Sequence, residues 1–402
     1  MSDNSLYKLF YIDKELYKSE YEQRFNDKDT IHLDIEISGN PAFICQTADI
    51  FQSIISIERK NKSITDMCAF LPDKALAQYR KHCLINEIVL TNNIEGVHST
   101  RKEINEILTD LSKKDKRQRF VGLVKKYTAL SAKENVPLDN STDIRKIYDD
   151  IFYHEISTDD PDNLPDGEIF RKGGVSVYSP TQKVIHMGVN PESEIISTMN
   201  KALGFLAKNN CDILIRIAIF HYLFGYIHPF YDGNGRTSRF ITSYLLCSNL
   251  NGLIGYNISY TIKENISKYY EAFKVCNHVL DKGDLTPFAE MFLNLIDISM
   301  SQLYDEIKNK LDKLTHYEKL CSLLSCAENK DTFGIYNLLI QAALFSEYGV
   351  SQKELESYLG LSYNSVRSRL QKIPQDLIIK ITQGRHAYYM LDLDKVDLMF
   401  SK

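Results

Sequence analysis

Apolar residues recur along most of this chain at helical spacing, three and four positions apart. The spacing is clearest in two N-terminal segments and one central segment: 48–55, 76–90 and 211–226. The central segment is apolar on nearly every face, which is typical of a helix that is buried on all sides. Because helical periodicity prevails wherever the pattern is legible, we predict a mainly α fold.

Extended segments are few and short. Alternating apolar residues over Ile31–Ile37 predict one strand in an otherwise polar N-terminal segment, residues 1–40. Two further extended runs, Val175–Tyr178 and Lys183–Met187, are joined by Ser179–Gln182, which has the proline and polar composition of a turn. The sequence therefore predicts a small β-hairpin at this place in the chain.

The C-terminal region, residues 331–402, differs in pattern from the rest. Three helical segments have the spacing of a helix-turn-helix, with a tight turn at Gly360 between the last two: 335–345, 351–359 and 363–373. Two apolar runs joined by a polar turn follow, at 377–381 and 387–391. The region therefore resembles a winged helix-turn-helix domain with its hairpin wing.

Several side chains of this region are candidates for contacts with nucleic-acid phosphates: Asn364, Arg367, Arg369, Lys372, Lys380 and Arg385. However, the region holds eight Lys or Arg and eight Asp or Glu, so its net charge is near zero. The sequence leaves DNA binding and protein docking equally open for it.

Composition narrows the class of protein. The chain has 402 residues, of which 44% are hydrophobic and 25% charged, so it has the composition of a globular protein with more than one domain. A formal net charge of −5 gives no general attraction to nucleic acid or to anionic membranes. The eight cysteines show no metal-binding spacing, and the chain opens on polar residues. We therefore expect reduced thiols, no membrane partner and a cytoplasmic location.

The strongest chemical signal is the segment from His228 to Arg239, H-P-F-Y-D-G-N-G-R-T-S-R. Glycines on both sides of Asn234 allow backbone N–H groups to approach an anion, and the helix that follows directs its N-terminus to the same place. Asp232 offers a hard oxygen to Mg²⁺, and His228 can accept a proton. Arg236 and Arg239 lie three apart on one helical face, where both can bind phosphate oxygens. The segment therefore predicts a site for a polyphosphate and its metal.

This segment resembles the signature of Fic-domain proteins, H-P-F-x-[D/E]-G-N-G-R-x-x-R, at every specified position. The resemblance implies a helical catalytic core at 144–292, with the hairpin as a flap that clamps a target protein. It implies transfer of AMP from ATP, with Mg²⁺, to a Tyr, Ser or Thr hydroxyl, with His228 as general base and Asp232 as metal ligand. The nucleotide-binding residues that it implies are Gly233, Asn234, Gly235, Arg236, Thr237, Ser238, Arg239, Asn265 and Tyr269.

A second motif, Thr91-Asn-Asn-Ile-Glu-Gly96, resembles the inhibitory motif of the same family, [S/T]-x-x-x-E-[G/N]. In that family the glutamate, here Glu95, pairs with the last arginine of the signature, here Arg239. A carboxylate and a triphosphate compete for the same guanidinium donors, so we expect the resting protein to be repressed. The competing interpretation is that Glu95 is a solvated surface acid and Gly96 ends a helix.

These interpretations divide the chain into five regions: a polar segment (1–40), a helical region with the inhibitory motif (41–130), the catalytic core (144–292), a helical connector (293–330) and the winged-helix region (331–402). The expected partners are a target protein with a hydroxyl side chain, DNA or a protein docked on the last region, and a second copy of the chain in a homodimer.

The leading hypothesis for function is a protein adenylyltransferase that Glu95 inhibits. One alternative is a Fic enzyme that uses another donor or removes AMP. Another is a DNA-binding regulator whose Fic core senses a nucleotide or modifies itself. The complete G-N-G-R-x-x-R segment makes room for a triphosphate and favours AMP transfer.

Overall fold

The structure is a computed structural model that describes residues 5–109, 111, 119–132, 134–178, 184–208, 211–323, 330–383 and 386–400. The chain divides into two compact units. The first consists of Met1–Asn61 and Ile85–Ser301, and the second of Lys62–Leu84 and Gln302–Lys402. Across these described ranges, every helix is too short or too polar to cross a membrane.

Helices account for most of the described residues, as the periodicity predicts. In chain order they are α1 (Leu6–Ile12), α2 (Lys14–Asn26), α3 (Ala48–Phe70), α4 (Asp73–Ile94), α5 (Arg101–Thr109), α6 (Val121–Ser131), α7 (Ser141–Asp159), α8 (Glu192–Ala207), α9 (Ile213–Ile227), α10 (Asn234–Asn249), α11 (Ile258–Glu264), α12 (Ile266–Cys276), α13 (Thr286–Ser322), α14 (Lys330–Phe345), α15 (Gln352–Leu359), α16 (Tyr363–Lys372) and α17 (Leu393–Phe400). The strands are β1 (Ile31–Ile37), β2 (Asn40–Ile44), β3 (Ser176–Tyr178), β4 (Val184–Met187), β5 (Val350–Ser351), β6 (Ile378–Gln383) and β7 (His386–Leu391).

The N-terminal segment differs from its expectation, because α1 and α2 precede the predicted strand. Ser5 caps α1 and Asp13 caps α2, each by accepting backbone N–H bonds with its side chain. Only Tyr17 of α2 is buried, among aromatic neighbours, so these helices lack a long apolar stripe. Their periodicity is too weak to reveal them from sequence. The predicted strand β1 is present, and it pairs with β2.

α9 lies at the centre of the first unit and is buried on nearly every face, as its sequence predicts. Asp212 caps its start by accepting the Leu214 N–H. The hairpin is also present, since β3 and β4 pair antiparallel with Val177 opposite His186. The turn predicted between them, Ser179–Gln182, lies outside the described residues.

α13 crosses a predicted boundary. It runs unbroken from Thr286 to Ser322, so the division expected between a catalytic core that ends at 292 and a connector that begins at 293 falls inside one helix. Apolar periodicity continues without interruption through such a position, and it therefore cannot mark the end of a region there.

The second unit contains the elements predicted for the C-terminal region, as far as its residues are described. A capping box of Ser351 and Glu354 begins α15, and Gly360 ends it with a left-handed φ of 65°. Ser362 then caps α16. The sheet order is β5-β7-β6, with β6 and β7 antiparallel. Arg385 lies outside the described residues, and the winged-helix interpretation stays a prediction.

Candidate active site

The loop between α9 and α10 is built by local backbone chemistry. α9 ends where His228 takes a left-handed conformation, with φ of 51°, and Pro229 has no N–H to continue the helix. The Asn234 side chain closes the loop: its Oδ1 accepts the Phe230 N–H at 3.0 Å, and its Nδ2 donates to the Phe230 carbonyl at 2.7 Å. The Phe230 ring is fully buried beneath the loop. The Asn234 side chain thus holds the loop closed, and its predicted nucleotide contact stays a prediction.

α10 begins directly after this loop. Gly233 has a φ of 79°, which glycine adopts without strain, and its carbonyl accepts from the buried Thr237 Oγ1 at 2.8 Å. The N–H groups of Asn234, Gly235 and Arg236 lie in the first helical turn, where no intrahelical carbonyl accepts them. Such N–H groups, with the positive end of the helix dipole, form a site for an anion.

The carboxylate of Glu95, the residue after α4, lies at this anion site. Its Oε1 accepts from Arg239 Nη2 at 2.8 Å. It also lies against Gly235, where an added Cβ would overlap the carboxylate. The acid of the predicted inhibitory motif therefore contacts both the N-terminal turn of α10 and the last arginine of the signature segment.

Arg239 is held from one side by α4. Its Nε donates to Thr91 Oγ1 at 2.7 Å and its Nη2 donates to the Thr91 carbonyl at 3.0 Å. One helical turn before Thr91, the fully buried Glu87 accepts from the N–H and the hydroxyl of Ser259. Burial raises the pKa of Glu87 to about 7, against the opposing hydrogen bonds from Ser259. The sequence gives no signal for Glu87, because a buried acid on a helix looks like a solvated one.

Arg236 has different surroundings from Arg239, although the two lie on one helix. Its Nη1 donates to Glu155 Oε1 at 2.6 Å, and its guanidinium lies 4.4 Å from the centre of the Phe152 ring. The Arg236 side chain is only 1% exposed. The structure therefore places it in a buried ion pair behind the loop, and its predicted phosphate contact stays a prediction.

A cavity of about 240 Å³ brings most of the predicted site residues together. Its lining includes the predicted base, the N-terminal turn of α10, the last arginine and the predicted inhibitory acid: His228, Asn234, Gly235, Ser238, Arg239 and Glu95. Aromatic residues of α12 form another part of the wall: Tyr269, Tyr270 and Phe273. An anion-binding end beside an aromatic wall suits a nucleotide. A larger cavity of about 450 Å³ elsewhere in the first unit has none of the predicted residues in its lining.

His228 is poised to accept a proton. Burial lowers its pKa to about 4, the Glu95 charge opposes this shift, and the Arg171 charge adds to it. The imidazole is therefore neutral at physiological pH, which is the form required of a general base.

His221 of α9 also lines the cavity, and sequence reasoning assigned it no role. Its Nδ1 lies 2.7 Å from Thr242 Oγ1 and its Nε2 lies 2.7 Å from Tyr269 Oη. Thr242 donates its own proton to the Ser238 carbonyl, so it accepts from His221 Nδ1 and leaves Nε2 to accept from Tyr269. Burial lowers the pKa of His221 to about 3, which keeps the ring neutral. The only sequence signal for it is a polar residue inside an apolar helix.

Asn265 is not among the residues that line the cavity, unlike Tyr269. It lies at the junction of α11 and α12, and its Nδ2 donates to the Thr261 carbonyl at 3.0 Å. Asn277, after α12, lines the cavity instead, and its Oδ1 accepts from Tyr222 Oη at 2.6 Å. Asn277 lies one helical turn beyond Phe273, the last residue of the aromatic wall, so helical spacing is the signal that points to it.

Asp232 is the predicted metal ligand. Its Oδ1 accepts the Gly233 N–H at 2.5 Å, its Oδ2 lies 3.6 Å from Arg236 Nη2, and the side chain is 48% exposed. The described part of the chain contains no cluster of three or more His, Cys, Asp or Glu side chains able to hold a metal. Mg²⁺ often takes one or two protein carboxylates and fills its remaining positions with water and substrate phosphates. The half-exposed carboxylate of Asp232 fits that mode of binding.

The hairpin contributes to the same cavity as His228. Val175 and Ser176 line it from the first arm, and His186 lines it from β4. The His186 ring stacks on Tyr226, and its Nε2 is 2.7 Å from the Tyr226 carbonyl. This contact ties β4 to the last turn of α9, directly before the loop.

A protein-family model matches the region that holds this loop. The model of the Fic/DOC family matches residues 137–246, a range that includes the whole loop and most of α10. The "Protein adenylyltransferase Fic" of Drosophila virilis is 26% identical over 258 residues, which cover 60% of this chain and 48% of that protein. The protein of the same name from Drosophila melanogaster is 28% identical over 258 residues, which cover 60% of this chain and 47% of that protein. The chain spans about half the length of these curated relatives.

A solved structure shares the fold. A Fic family protein from Desulfovibrio desulfuricans superposes with a TM-score of 0.51, covering 86% of this chain and 96% of that one, at 21% identity. At this identity the likeness shows the fold alone.

Proposed function

We propose that this chain, whose residues 137–246 match the Fic/DOC family, transfers AMP from ATP to a Tyr, Ser or Thr hydroxyl of a target protein. One observation carries the proposal: a single cavity joins a neutral histidine, a helix N-terminus, a buried arginine and an aromatic wall. The relatives named as protein adenylyltransferases, at 26% and 28% identity, support it.

His228 acts as the general base in this reaction. Its neutral ring takes the proton of the target hydroxyl while that oxygen forms a bond to the α-phosphorus of ATP. The bond from the same phosphorus to the oxygen bridging it to the β-phosphate breaks, and pyrophosphate leaves. The hairpin lines the same cavity as His228 and is therefore the surface on which a target segment would lie.

The phosphates bind at the N-terminal turn of α10. The N–H groups of this turn, including that of Gly235, donate to phosphate oxygens, and Arg239 binds the terminal phosphates. These donors are fixed before the substrate arrives, so they stabilise developing charge without reorganising. Asp232 would hold Mg²⁺, which when bound supplies a Lewis acid that offsets the phosphate charge.

Glu95 keeps the resting protein inactive in this proposal. Its carboxylate contacts the Gly235 position and the Arg239 guanidinium, which are the two places that the phosphates require. Two anions cannot share one set of donors at this distance, so ATP binds productively only after Glu95 moves away.

Labelled ATP tests the reaction directly. The Glu95→Gly protein is incubated with Mg²⁺, host lysate and ATP radiolabelled at either its α- or its γ-phosphate. Label from the α-phosphate alone is expected on protein, as an AMP adduct identified by mass spectrometry. Label from the γ-phosphate alone would mean phosphate transfer, and no label from either would contradict the proposal.

His228→Ala, made in the Glu95→Gly protein, distinguishes an effect on the transfer step from an effect on ATP binding. Loss of a general base typically costs about 10²- to 10⁴-fold in rate, so labelling should fall by that factor. ATP affinity, measured by calorimetry, should be retained because the phosphate donors remain. Undiminished labelling would exclude His228 as the base.

A further inference from the structure

Arg171 is a fully buried arginine in the segment that leads into the hairpin. Its guanidinium donates only to backbone carbonyls among the described residues. Nε donates to the His228 carbonyl at 2.9 Å and Nη1 to that of Gly173 at 2.5 Å. Nη2 donates to the carbonyls of Val189 at 2.8 Å and Ile227 at 3.4 Å.

Three successive carbonyls around the proposed base bind Arg171. Ile227 and His228 accept from its side chain, and Pro229 accepts from its backbone N–H at 3.3 Å. The last carbonyls of a helix have no intrahelical donor, so they require partners from elsewhere. His228 also has a left-handed φ of 51°, which is costly for a residue other than glycine. Arg171 supplies the donors that hold the chain in this turn.

The same guanidinium holds both arms of the hairpin where they leave the body of the first unit. Gly173 precedes β3 and Val189 follows β4, and the carbonyls of both residues accept hydrogen bonds from the Arg171 guanidinium. The Val189 N–H donates in turn to the Ile227 carbonyl at 3.1 Å. A Cβ on Gly188 would lie 2.5 Å from Arg171 Nη2 and 3.1 Å from His228 Cβ, so this arm packs directly on both groups. The hairpin and the base are therefore joined through one side chain.

The chain before Arg171 directs it inward. The Glu192 carboxylate accepts the N–H groups of residues 168, 169 and 170 in succession, which curls this segment around it. Gly167 completes the curve, since a Cβ there would overlap Glu192. Arg171 follows as the next residue and enters the interior.

Arg171 carries a charge without a carboxylate partner among the described residues. Burial lowers its pKa, but a guanidinium starts from so high a value that it stays protonated. A fixed positive charge beside the base disfavours a second one on the imidazole. It therefore acts in the same direction as burial and keeps His228 neutral.

We propose that Arg171 is a positioning residue for the general base, because it holds the backbone of His228 and both arms of the hairpin as one rigid unit. The imidazole and the hydroxyl of a target segment on the hairpin then meet in reacting geometry. This inference rests on the proposed AMP transfer. Arg171 itself contacts neither ATP nor the target.

Two substitutions of Arg171, made in the Glu95→Gly protein, distinguish the effect of its hydrogen-bond geometry from the effect of its charge. Arg171→Lys keeps the charge but loses the planar set of donors, and Arg171→Met loses both. Both should lower the rate of labelling from ATP labelled at the α-phosphate by about 10²-fold, the typical cost of misplacing a reacting group by an ångström. ATP affinity by calorimetry should be unchanged. The matched control, Lys172→Met, removes a charge from the next, exposed residue and should leave the rate unchanged.

A titration of the His228 ring by isotope-edited NMR supplies a readout that a merely structural role would not move. Arg171→Met should raise the pKa of His228 relative to the parent, whereas Arg171→Lys should leave it close to the parent value. Rates equal to the parent in both variants, or losses that lie wholly in ATP affinity, would overturn the proposal.

Two further outcomes, a variant that does not fold and a parent protein without activity, also test the role of Arg171. If circular dichroism shows that Arg171→Met does not fold, Arg171→Lys decides alone: a slower rate at unchanged ATP affinity supports positioning, and a rate equal to the parent overturns it. If the Glu95→Gly protein labels nothing, the proposed function fails. The NMR titration of His228 then tests Arg171 independently of activity. An unchanged pKa of His228 in both variants would overturn the positioning role of Arg171.

Discussion

At the scale of single residues, the two arginines of the signature segment show that sequence spacing alone does not determine which partner a side chain contacts. Arg239 lines the cavity, where its partner is the partly exposed Glu95. Arg236 is paired with Glu155 and stacked on Phe152, out of the cavity lining. A spacing of three places both on one helical face, but the partner that each guanidinium meets comes from other helices.

Glu155→Gln tests the structural role of the Arg236 pair. The change leaves the Arg236 guanidinium buried without its main counter-charge, so the free energy of unfolding should fall by about 3–5 kcal/mol in urea titrations. The more exposed pair of Arg145 and Asp149 on the same helix, with side chains 23% and 37% exposed, is the control, and Asp149→Asn should cost about 0.5 kcal/mol or less. A large loss of ATP affinity at unchanged stability would show instead that the pair serves phosphate binding.

The pH dependence of the rate of AMP transfer tests the protonation state of the His228 imidazole. A base works in its deprotonated form, and burial lowers the pKa of His228 to about 4 from an ordinary 6.5. The rate of AMP transfer by the Glu95→Gly protein should therefore stay level from neutral pH down to about pH 5 and fall only below it. Removing the Glu95 charge moves the fall to lower pH, because that charge opposes the shift. A fall centred at the ordinary histidine value would contradict this account.

At the scale of helices and strands, α4 and the residue that follows it present three side chains spaced four residues apart: Glu87, Thr91 and Glu95. These bind Ser259 and Arg239, so one face of α4 holds both the end of the active-site arginine and the start of α11. The sequence predicts the last two residues through a motif. It cannot predict Glu87, because only a tertiary partner distinguishes a buried acid from a surface one.

The elements that the sequence predicts correctly share one property: their signals are local. α9 has its apolar run, α15 the Ser and Glu of its capping box, and the hairpin two short extended runs separated by residues typical of a turn. α1 and α2 are missed because their contacts come from distant segments, with Arg24 of α2 paired to Asp284 at 3.0 Å. Arg171, His221 and Asn277 are missed for the same reason. Each binds groups far away along the chain.

α1 and α2 contact a pair of buried carboxylates. Asp281 Oδ1 accepts the Tyr7 N–H at 3.1 Å, and Asp284 pairs with Arg24. Asp281 Oδ2 is buried and has no hydrogen-bond partner among the residues that the structure describes. Burial, with the neighbouring Asp284 charge, raises the pKa of Asp281 above its ordinary value. The folded protein therefore prefers this carboxyl protonated.

Asp281→Asn should stabilise the protein at neutral and alkaline pH. Because the pKa of Asp281 is raised in the folded state, Asp281 adds to the free energy of unfolding at low pH. This contribution is lost as the pH rises toward the pKa of Asp281 in the folded state. Asparagine cannot ionise, so the variant does not lose this stability. Its free energy of unfolding at neutral and alkaline pH should be higher by on the order of 1–3 kcal/mol. Urea titrations of both proteins at acidic and alkaline pH measure the difference. A larger gain at acidic pH than at alkaline pH would contradict the raised pKa.

At the scale of the whole molecule, every described residue that lines the candidate active site belongs to the first unit. The second unit contributes the helices and the sheet of the predicted winged helix, with Arg367 and Lys372 on α16. Residues 331–402 of this unit hold eight Lys or Arg and eight Asp or Glu, and none of the predicted catalytic or nucleotide-binding residues lies in the unit. Catalysis and any docking by the second unit should therefore be separable.

The double substitution Arg367→Gln and Lys372→Gln tests this separation. In the Glu95→Gly background it should leave the rate of self-labelling and of lysate labelling unchanged, since neither residue lines the cavity. Gel shifts of the full chain with duplex DNA at low and moderate salt give the second readout. If the parent binds DNA through α16, the double variant should bind more weakly with a smaller salt slope. Loss of labelling would show that α16 contributes to AMP transfer.

In the proposed function Glu95 keeps AMP transfer off, and one comparison of rates tests this directly. The rate of protein labelling from ATP labelled at the α-phosphate is measured for the unaltered chain, Glu95→Gly and the exposed-acid control Glu134→Gly, at the same ATP and Mg²⁺. Losing a charge-assisted contact to Arg239 should raise the rate by on the order of 10- to 10²-fold in Glu95→Gly alone. Equal rates in all three proteins would contradict it.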